Sequence, residues 1–219
     1  MDIIYPRGGK QNAPGVAKEA GMFYGVRHDY TAYGKVFFLD INWKKYDWSK
    51  YLEKVRALRP VMAMTPDYES ATQRRALYGC IRDLKSTDVE RIMVCPKFTG
   101  AIAHIPKFCI VALSAPAPTY ATFLPDLREC TGRKIHLLGS NPHTQIDLIR
   151  KLRGIGAEPV SVDGNYLAMK AAKGSYFQHG RWVDIRRQGV STEELEIVSA
   201  RNILNYLREN EHQVQPMLI

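Results

Sequence analysis

A compact (β/α)8 TIM-like barrel is the fold this sequence predicts, on three observations. Short apolar runs alternate with amphipathic segments along the chain, the pattern of a parallel sheet covered by helices. Several of those runs are apolar at every position, as strands buried on both faces are. The length of 219 residues suits one domain with a full core, and single barrels of roughly 200–250 residues are common. An open doubly wound sheet is the second choice.

Taken in order, residues 1–20 are rich in Gly and Lys and read as an N-terminal arm ahead of the core. Strands are expected at 22–26 and 36–39. A helix over 49–58 puts Tyr51, Leu52, Val55 and Leu58 on one face, and Pro60 stops it. A strand at 61–64 precedes a helix over 69–84, in which Leu77, Cys80, Ile81 and Leu84 share a face. Strands follow at 91–95, 108–113 and 134–138. Thr144 with Asp147 approximates a capping box ahead of Ile146, Ile149 and Leu152, and Gly154 is a natural C-cap. The seventh strand is 159–162, and 182–185 is either an eighth or one arm of a hairpin. Ser191 with Glu194 opens a terminal helix reaching about Arg208, and the tail after His212 reads as a second arm. The whole chain, 1–219, is read as a single domain, with 191–219 as its C-terminal helix and tail.

Charge narrows the partners. Thirty-one Lys and Arg against twenty-two Asp and Glu give a formal +9, which favours polyanions through long-range attraction and counterion release. A basic but unspecialised surface is the alternative. Tyr and Trp interleave with Lys through INWKKYDWSKY (residues 41–51), which suits stacking on bases beside phosphates or, equally, the entry to an amphipathic helix.

Cys80, Cys95, Cys109 and Cys130 are too far apart for a zinc knuckle and read as buried free thiols in a reducing compartment. The six histidines do not pair at metal-ligand spacing, and His136 reads as a satisfied core or barrel-mouth residue. No metal site is expected. The start MDIIYPRGGK lacks a signal-peptide hydrophobic region, and no apolar run approaches the ~18 residues of a membrane span. A soluble, cytoplasmic chain is therefore expected. Nucleotide-binding GxGxxG and GxxxxGK[ST] loops, the HExxH zinc motif and the GxSxG elbow are missing.

Three acidic residues stand at or just past strand ends. Asp40 closes KVFFLD, Asp67 follows VMAMTP, and Asp163 closes PVSVD. In a parallel barrel all three would point into one mouth at the C-terminal face. Two carboxylates across an anomeric carbon are what glycosyl transfer needs: one attacks or stabilises C1′, and the other handles the leaving group's proton. The plainer alternative is that each caps a helix or a turn.

The stretch 135–174 carries a resemblance. Leu138-Gly139 forms a turn, Pro142 begins a helix, Val162-Asp163 ends a strand, and Ala171-Ala172-Lys173-Gly174 follows. This order and spacing resemble the core of the tRNA-guanine transglycosylase superfamily, where G-x-D-x-F-D-C is followed by A-R-x-G. YFQHGRWVDIR resembles the family's next hairpin, with Phe177, Gly180, Ile185 and Arg186 in register. By this resemblance Asp163 stands at the covalent nucleophile and Asp40 at the acid/base aspartate. Asp67 stands near the aspartate that reads the guanine edge, and Leu113 and Ser114 stand in the strand-loop that contacts the base. Gly139, in the first turn, is counted among the substrate contacts.

The chain departs from the family in several places. Ile41-Asn42-Trp43 follows Asp40 in place of Ser-Gly-Gly, and Cys95-Pro96-Lys97 replaces a Gln-Gly-Gly loop. The Cys-rich zinc subdomain and the Pro-Thr-Arg triplet are also missing. A short, zinc-free, basic member is most similar to the phage DNA-guanine transglycosylases, which exchange guanine in DNA for a 7-deazaguanine such as preQ0. The resemblance thus implies a glycosyltransferase without a cofactor. Its partners would be double-stranded DNA and a free 7-deazaguanine base, and its compartment the cytoplasm, that of the host if phage-encoded. Lys170, Lys173, Arg181, Arg186 and Arg187 follow the nucleophile position, with Asp184 the one acid among them, and are the candidate phosphate contacts. A nucleic-acid N-glycosidase and a non-catalytic nucleic-acid-binding barrel remain as alternatives.

Overall fold

The protein is described here from a computed structural model, for residues 1–42, 44–115, 123–185 and 189–210. Eight parallel strands close a barrel in chain order. They are β1 (Asp2–Pro6), β2 (Phe23–Arg27), β3 (Phe38–Asp40), β4 (Met62–Met64), β5 (Arg91–Val94), β6 (Ile110–Ser114), β7 (Lys134–Leu138) and β8 (Glu158–Asp163). The helices are α1 (Ala13–Ala20), α2 (Trp48–Leu58), α3 (Arg74–Lys85), α4 (Pro142–Gly154), α5 (Tyr166–Ala171) and α6 (Thr192–Asn210). After α5 comes a two-stranded hairpin of β9 (Ser175–Gln178) and β10 (Arg181–Asp184). The TIM-like barrel expected from the alternation of strands and helices is the observed fold.

The N-terminal arm is not an arm. Residues 2–6 form β1, which pairs with β2 on one side and β8 on the other and so closes the barrel. Gly8, Gly9 and Lys10 drew attention to flexibility, but Ile3, Ile4 and Tyr5 ahead of them are 5%, 2% and 0% exposed. Removing β1 would leave two open sheet edges, which a barrel exists to abolish. Residues 182–185 accordingly supply a hairpin arm and not the eighth strand. That hairpin docks on α6, where the Phe177 N–H donates to Ser199 Oγ and Asn202 Nδ2 donates to the Phe177 carbonyl. The tail after His212 lies outside the described residues.

Alternation along each strand sorts side chains into an inner and an outer set. Gly25, Phe38 and Ile4 face inward: a Cβ built on Gly25 would lie 2.8 Å from Ile4 Cγ2 and 3.2 Å from Phe38 Cδ1. At the barrel floor Arg91 of β5 donates to Asp2 of β1 at 2.5 Å. Those strands lie opposite each other in the eight-strand order, so this ion pair crosses the interior. One layer up, His136 meets Phe38 and its Nδ1 lies 2.8 Å from Ser161 Oγ.

Outside the barrel, Tyr51 of α2 is fully buried. Its hydroxyl donates to the Leu39 carbonyl at 3.1 Å and accepts from the Met64 N–H at 3.0 Å, joining the upper ends of β3 and β4. On the far side Tyr5 donates to Glu196 of α6, fixing the last helix against β1.

The caps correct two local expectations. Asn141, and not Thr144, caps α4: its Oδ1 accepts from the Thr144 N–H at 3.0 Å. Gly154 lies in the last helical turn, and the left-handed residue is Gly156 at φ 76°. The helix expected from residue 69 begins later, because Ser70–Gln73 forms a capping box over a 3-10 turn ahead of α3. Ser191 and Glu194 cap α6 reciprocally, as the sequence indicated.

Candidate active site

The strand ends set the site. Asp163 is the last residue of β8, registered against Ile4 of β1, and Asp40 is the last residue of β3, registered against Arg27 of β2. Asp163 and Asp40 therefore stand at one mouth, with the ends of β1 and β2 between them. Each continues the inward row of its strand, Asp163 above Ser161 and Asp40 above Phe38.

Asp163 is 7% exposed. Its Oδ1 accepts from the Gly139 N–H at 2.7 Å, and Gly139 reaches that position with φ 73°, where glycine is favoured. Gln145 of α4 fastens the same loop, since its Nε2 donates to the carbonyls of Gly139 and Asp163 at 2.8 and 2.6 Å. Burial pushes the Asp163 carboxyl up to about 7, against the pull of the Gly139 N–H. Asp40 is also lifted to about 7, first by burial and then by the charge of Asp163; the Ile41 N–H and the Arg27 guanidinium oppose the rise. Both carboxyls therefore change charge near neutral pH, where one can be ionised while the other holds its proton.

Arg27 is held in place beside them. It makes a two-point contact with Asp29 at 2.6 and 2.9 Å, and its guanidinium lies 4.7 Å from the Tyr30 ring centre. Asn42 Nδ2 supports Asp29 at 2.9 Å.

A second polar group stands on the β4–β6 side of the mouth. Asp67, just past β4, lies 3.4 Å from the ammonium of Lys97, just past β5. Lys97 donates to Ser114 Oγ at 2.9 Å, and the Cys95 thiol lies 3.6 Å from the same hydroxyl. Burial raises the Asp67 carboxyl, with Lys97 pulling it back. Asp67 also adds to the charge that Asp40 feels.

The structure thus gathers Asp40, Asp67, Asp163 and Ser114 at one mouth, as the sequence indicated. Gly139 spends its N–H on Asp163 and is part of the carboxylate's support. The Leu113 side chain is 1% exposed and registered against Leu137 inside the β6–β7 ladder; the resemblance assigns its backbone, not its side chain, to the base. Of the five basic candidates, Arg186 and Arg187 lie outside the described residues. Arg181 sits beside the hairpin tip, near His143 and the start of α4, which is the mouth side. Lys173 precedes the other end of the hairpin, about 10 Å away along three residues of strand. Lys170 packs its ammonium beside the Trp182 ring at 5.6 Å.

Sequence reading passed over Gln145, Arg27 and Lys97. Lys97 had a visible signal, a lysine immediately after an apolar strand and a proline. Gln145 had none, because a glutamine in the first turn of a helix is usually a surface residue. His136 is fully buried and neutral, its pKa pushed down to about 3 by burial. It belongs to the layer beneath the carboxylates.

The fold and mouth define a parallel α/β barrel with two high-pKa carboxyls, Asp40 and Asp163, at the C-terminal ends of its strands. The chain belongs to DUF6610, a family of unknown function, matching it over residues 17–207. Among solved structures it is similar to the YdjI aldolase from Escherichia coli K12, with a TM-score of 0.60 and 8% identity over 98% of this chain and 93% of that one. At that identity the likeness is one of fold. No curated protein matches the sequence. No helix of the described residues is long and apolar enough to cross a membrane.

Proposed function

We propose that this barrel is an enzyme that exchanges a base at a sugar carbon: a DNA-guanine transglycosylase that replaces guanine with a 7-deazaguanine. The observation that carries the reading is the placement of Asp40 and Asp163 at one barrel mouth, as the last residues of β3 and β8, with both carboxyls raised to about 7 so that near neutral pH one can be ionised while the other holds a proton. Substitution at C1′ needs that combination, a nucleophile opposite a proton donor. The resemblance of residues 134–187 to the guanine transglycosylases supplies the substrate class, and the formal charge of +9 suits a polyanionic partner.

The target guanosine leaves the base stack, at a cost of about a few kcal/mol, to reach the mouth. The Asp163 carboxylate forms a bond to C1′ as the bond from C1′ to guanine N9 breaks. Asp40 gives its proton to the departing base, which leaves as neutral guanine. The incoming 7-deazaguanine then returns a proton to Asp40 and attacks C1′ with the freed electron pair, releasing Asp163. Two displacements retain the configuration at C1′. Gly139 and Gln145 hold Asp163 in place throughout.

The test is incubation of the protein with guanine-containing duplex DNA and labelled guanine. Label entering the DNA supports exchange. Abasic sites without incorporation would indicate a hydrolytic glycosidase, and neither product would remove the enzymatic reading.

A further inference from the structure

Helix α3 buries Leu77, Ile81 and Leu84 against the barrel and turns a basic face outward. Arg74, Tyr78, Arg82 and Lys85 follow one another at steps of four, four and three and so form one stripe, with Arg75 one position round from its start. All five are exposed. Tyr78 is 43% exposed; its hydroxyl donates to the His104 carbonyl at 3.1 Å, and the Arg74 guanidinium lies 5.8 Å from its ring centre. Beside the far end of the stripe stands Phe108, 54% exposed, with the Lys85 ammonium 3.7 Å from its ring centre. Little acid offsets this charge. Asp83, the one acidic residue of α3, accepts from Trp48 Nε1 at 3.0 Å and reaches Arg82 at 3.8 Å. Among the described residues Arg74, Arg75 and Lys85 make no ion pair. The helix follows β4 and precedes β5, so it begins on the mouth side, and the stripe runs about 16 Å from there toward the barrel floor.

We propose that the outer face of α3 is a track for single-stranded nucleic acid, with Arg74, Arg75, Arg82 and Lys85 on phosphates and Tyr78 and Phe108 under unstacked bases. Exposed rings set among cations suit a strand whose bases are splayed, because every base offers a face for stacking and the guanidinium fork matches a phosphate. A duplex hides those faces and is too stiff to turn from the mouth down the flank of the barrel. A lipid surface would need a continuous apolar face beside the cations, whereas each ring here is flanked by a cation. The track extends the base-exchange reading, in which the strand around an extruded nucleotide must lie on the protein, but strand binding itself requires no chemistry at the mouth.

The experiment is fluorescence anisotropy of the full chain with a labelled mixed-sequence oligodeoxynucleotide, single-stranded and as its duplex, over a series of salt concentrations. Wild type is expected to bind the single strand more tightly than the duplex. Changing Arg74, Arg75, Arg82 and Lys85 together to Gln should weaken that binding at least tenfold and flatten the slope of log K against log salt by up to ~3 units, the effect of four lost phosphate contacts. Changing Lys18, Lys134, Lys151 and Arg208 to Gln removes the same charge from exposed sites off α3 and should cost far less. Phe108→Leu with Tyr78→Leu should weaken binding on the order of tenfold with the salt slope unchanged. Thermal melts verify folding, and Phe108→Leu alone carries the ring test if loss of the Tyr78 bond unfolds the double variant. Undiminished binding by the α3 charge variant, an equal loss in the variant charged elsewhere, or tighter binding of the duplex would overturn the track. So would no binding of the single strand, or a preference for vesicles of phosphatidylserine and phosphatidylcholine over it. Strand binding that depends on α3 in a protein that exchanges no base would support the track while removing the base-exchange reading.

Discussion

Replacing Asp163 with Asn should stabilise the folded protein at alkaline pH and leave it unchanged at acid pH. The carboxyl sits at about 7 in the fold against 3.8 in the open chain. The sign follows from proton binding: between those values the folded state holds a proton that the unfolded state has released. Stability is therefore fully present below about pH 4 and falls as pH rises through 7. Each tenfold in the ionisation equilibrium is worth roughly 1.4 kcal/mol, so ionised Asp163 costs the native state about 4 kcal/mol above pH 8. Asparagine removes that cost while its Oδ1 still accepts from the Gly139 N–H, the bond that Asp163 makes at 2.7 Å. Loss of the Asp163 charge also relieves Asp40, so part of the gain belongs to the pair. Urea titrations of both proteins from pH 4 to pH 9 measure the difference. A gap that opens from near zero at pH 4 to roughly 2–4 kcal/mol at pH 8.5 is the expected result. A constant gap, or a less stable Asn variant at pH 8.5, would refute the assignment of a buried, high-pKa carboxyl to this position.

Three further outcomes follow from the same geometry. The rate of base exchange should peak near pH 7 and fall on both sides, because below it Asp163 is protonated and above it Asp40 has lost its proton; a flat pH–rate profile would separate the pair from the chemistry. Tyr51→Phe removes the bonds to the Leu39 carbonyl and the Met64 N–H and should cost roughly 1–3 kcal/mol in denaturant unfolding, since both backbone groups are left buried. Gly25→Ala would force a Cβ within 2.8 Å of Ile4 and 3.2 Å of Phe38; a loss of about 1–3 kcal/mol from overpacking is expected, read as a lower melting temperature.

Most of the barrel was legible because its strands are short, apolar and evenly spaced. Seven of the eight came from periodicity, and all three strand-end aspartates fell at the mouth for the same reason: a parallel barrel puts every strand's last residue on one face. The missing strand, β1, lies at the start of the chain and is followed within two residues by Gly8 and Gly9, so local composition spoke for a flexible end. Its burial is decided by pairing with β2 and β8, which local sequence does not express. The α4 cap failed for a related reason: Asn141 and Thr144 are both good cap residues, and the turn through Gly139 and Ser140, at φ 73° and 71°, decides between them. What the sequence could not convey was support. Gln145 beneath Asp163, Tyr51 between β3 and β4, and Lys97 beside Asp67 are joined by contacts across different elements, where spacing along the chain carries no information.

The central claim, covalent catalysis by Asp163, is tested most directly by trapping. Wild-type protein incubated with guanine-containing DNA and no incoming base, then denatured, should run as a protein–DNA adduct whose mass adds one abasic-linked strand to the chain, mapped by peptide analysis to Asp163. Asp163→Asn should bind the same DNA and give no adduct. Efficient base exchange by Asp163→Asn, or an adduct attached at another residue, would contradict the assignment of the nucleophile.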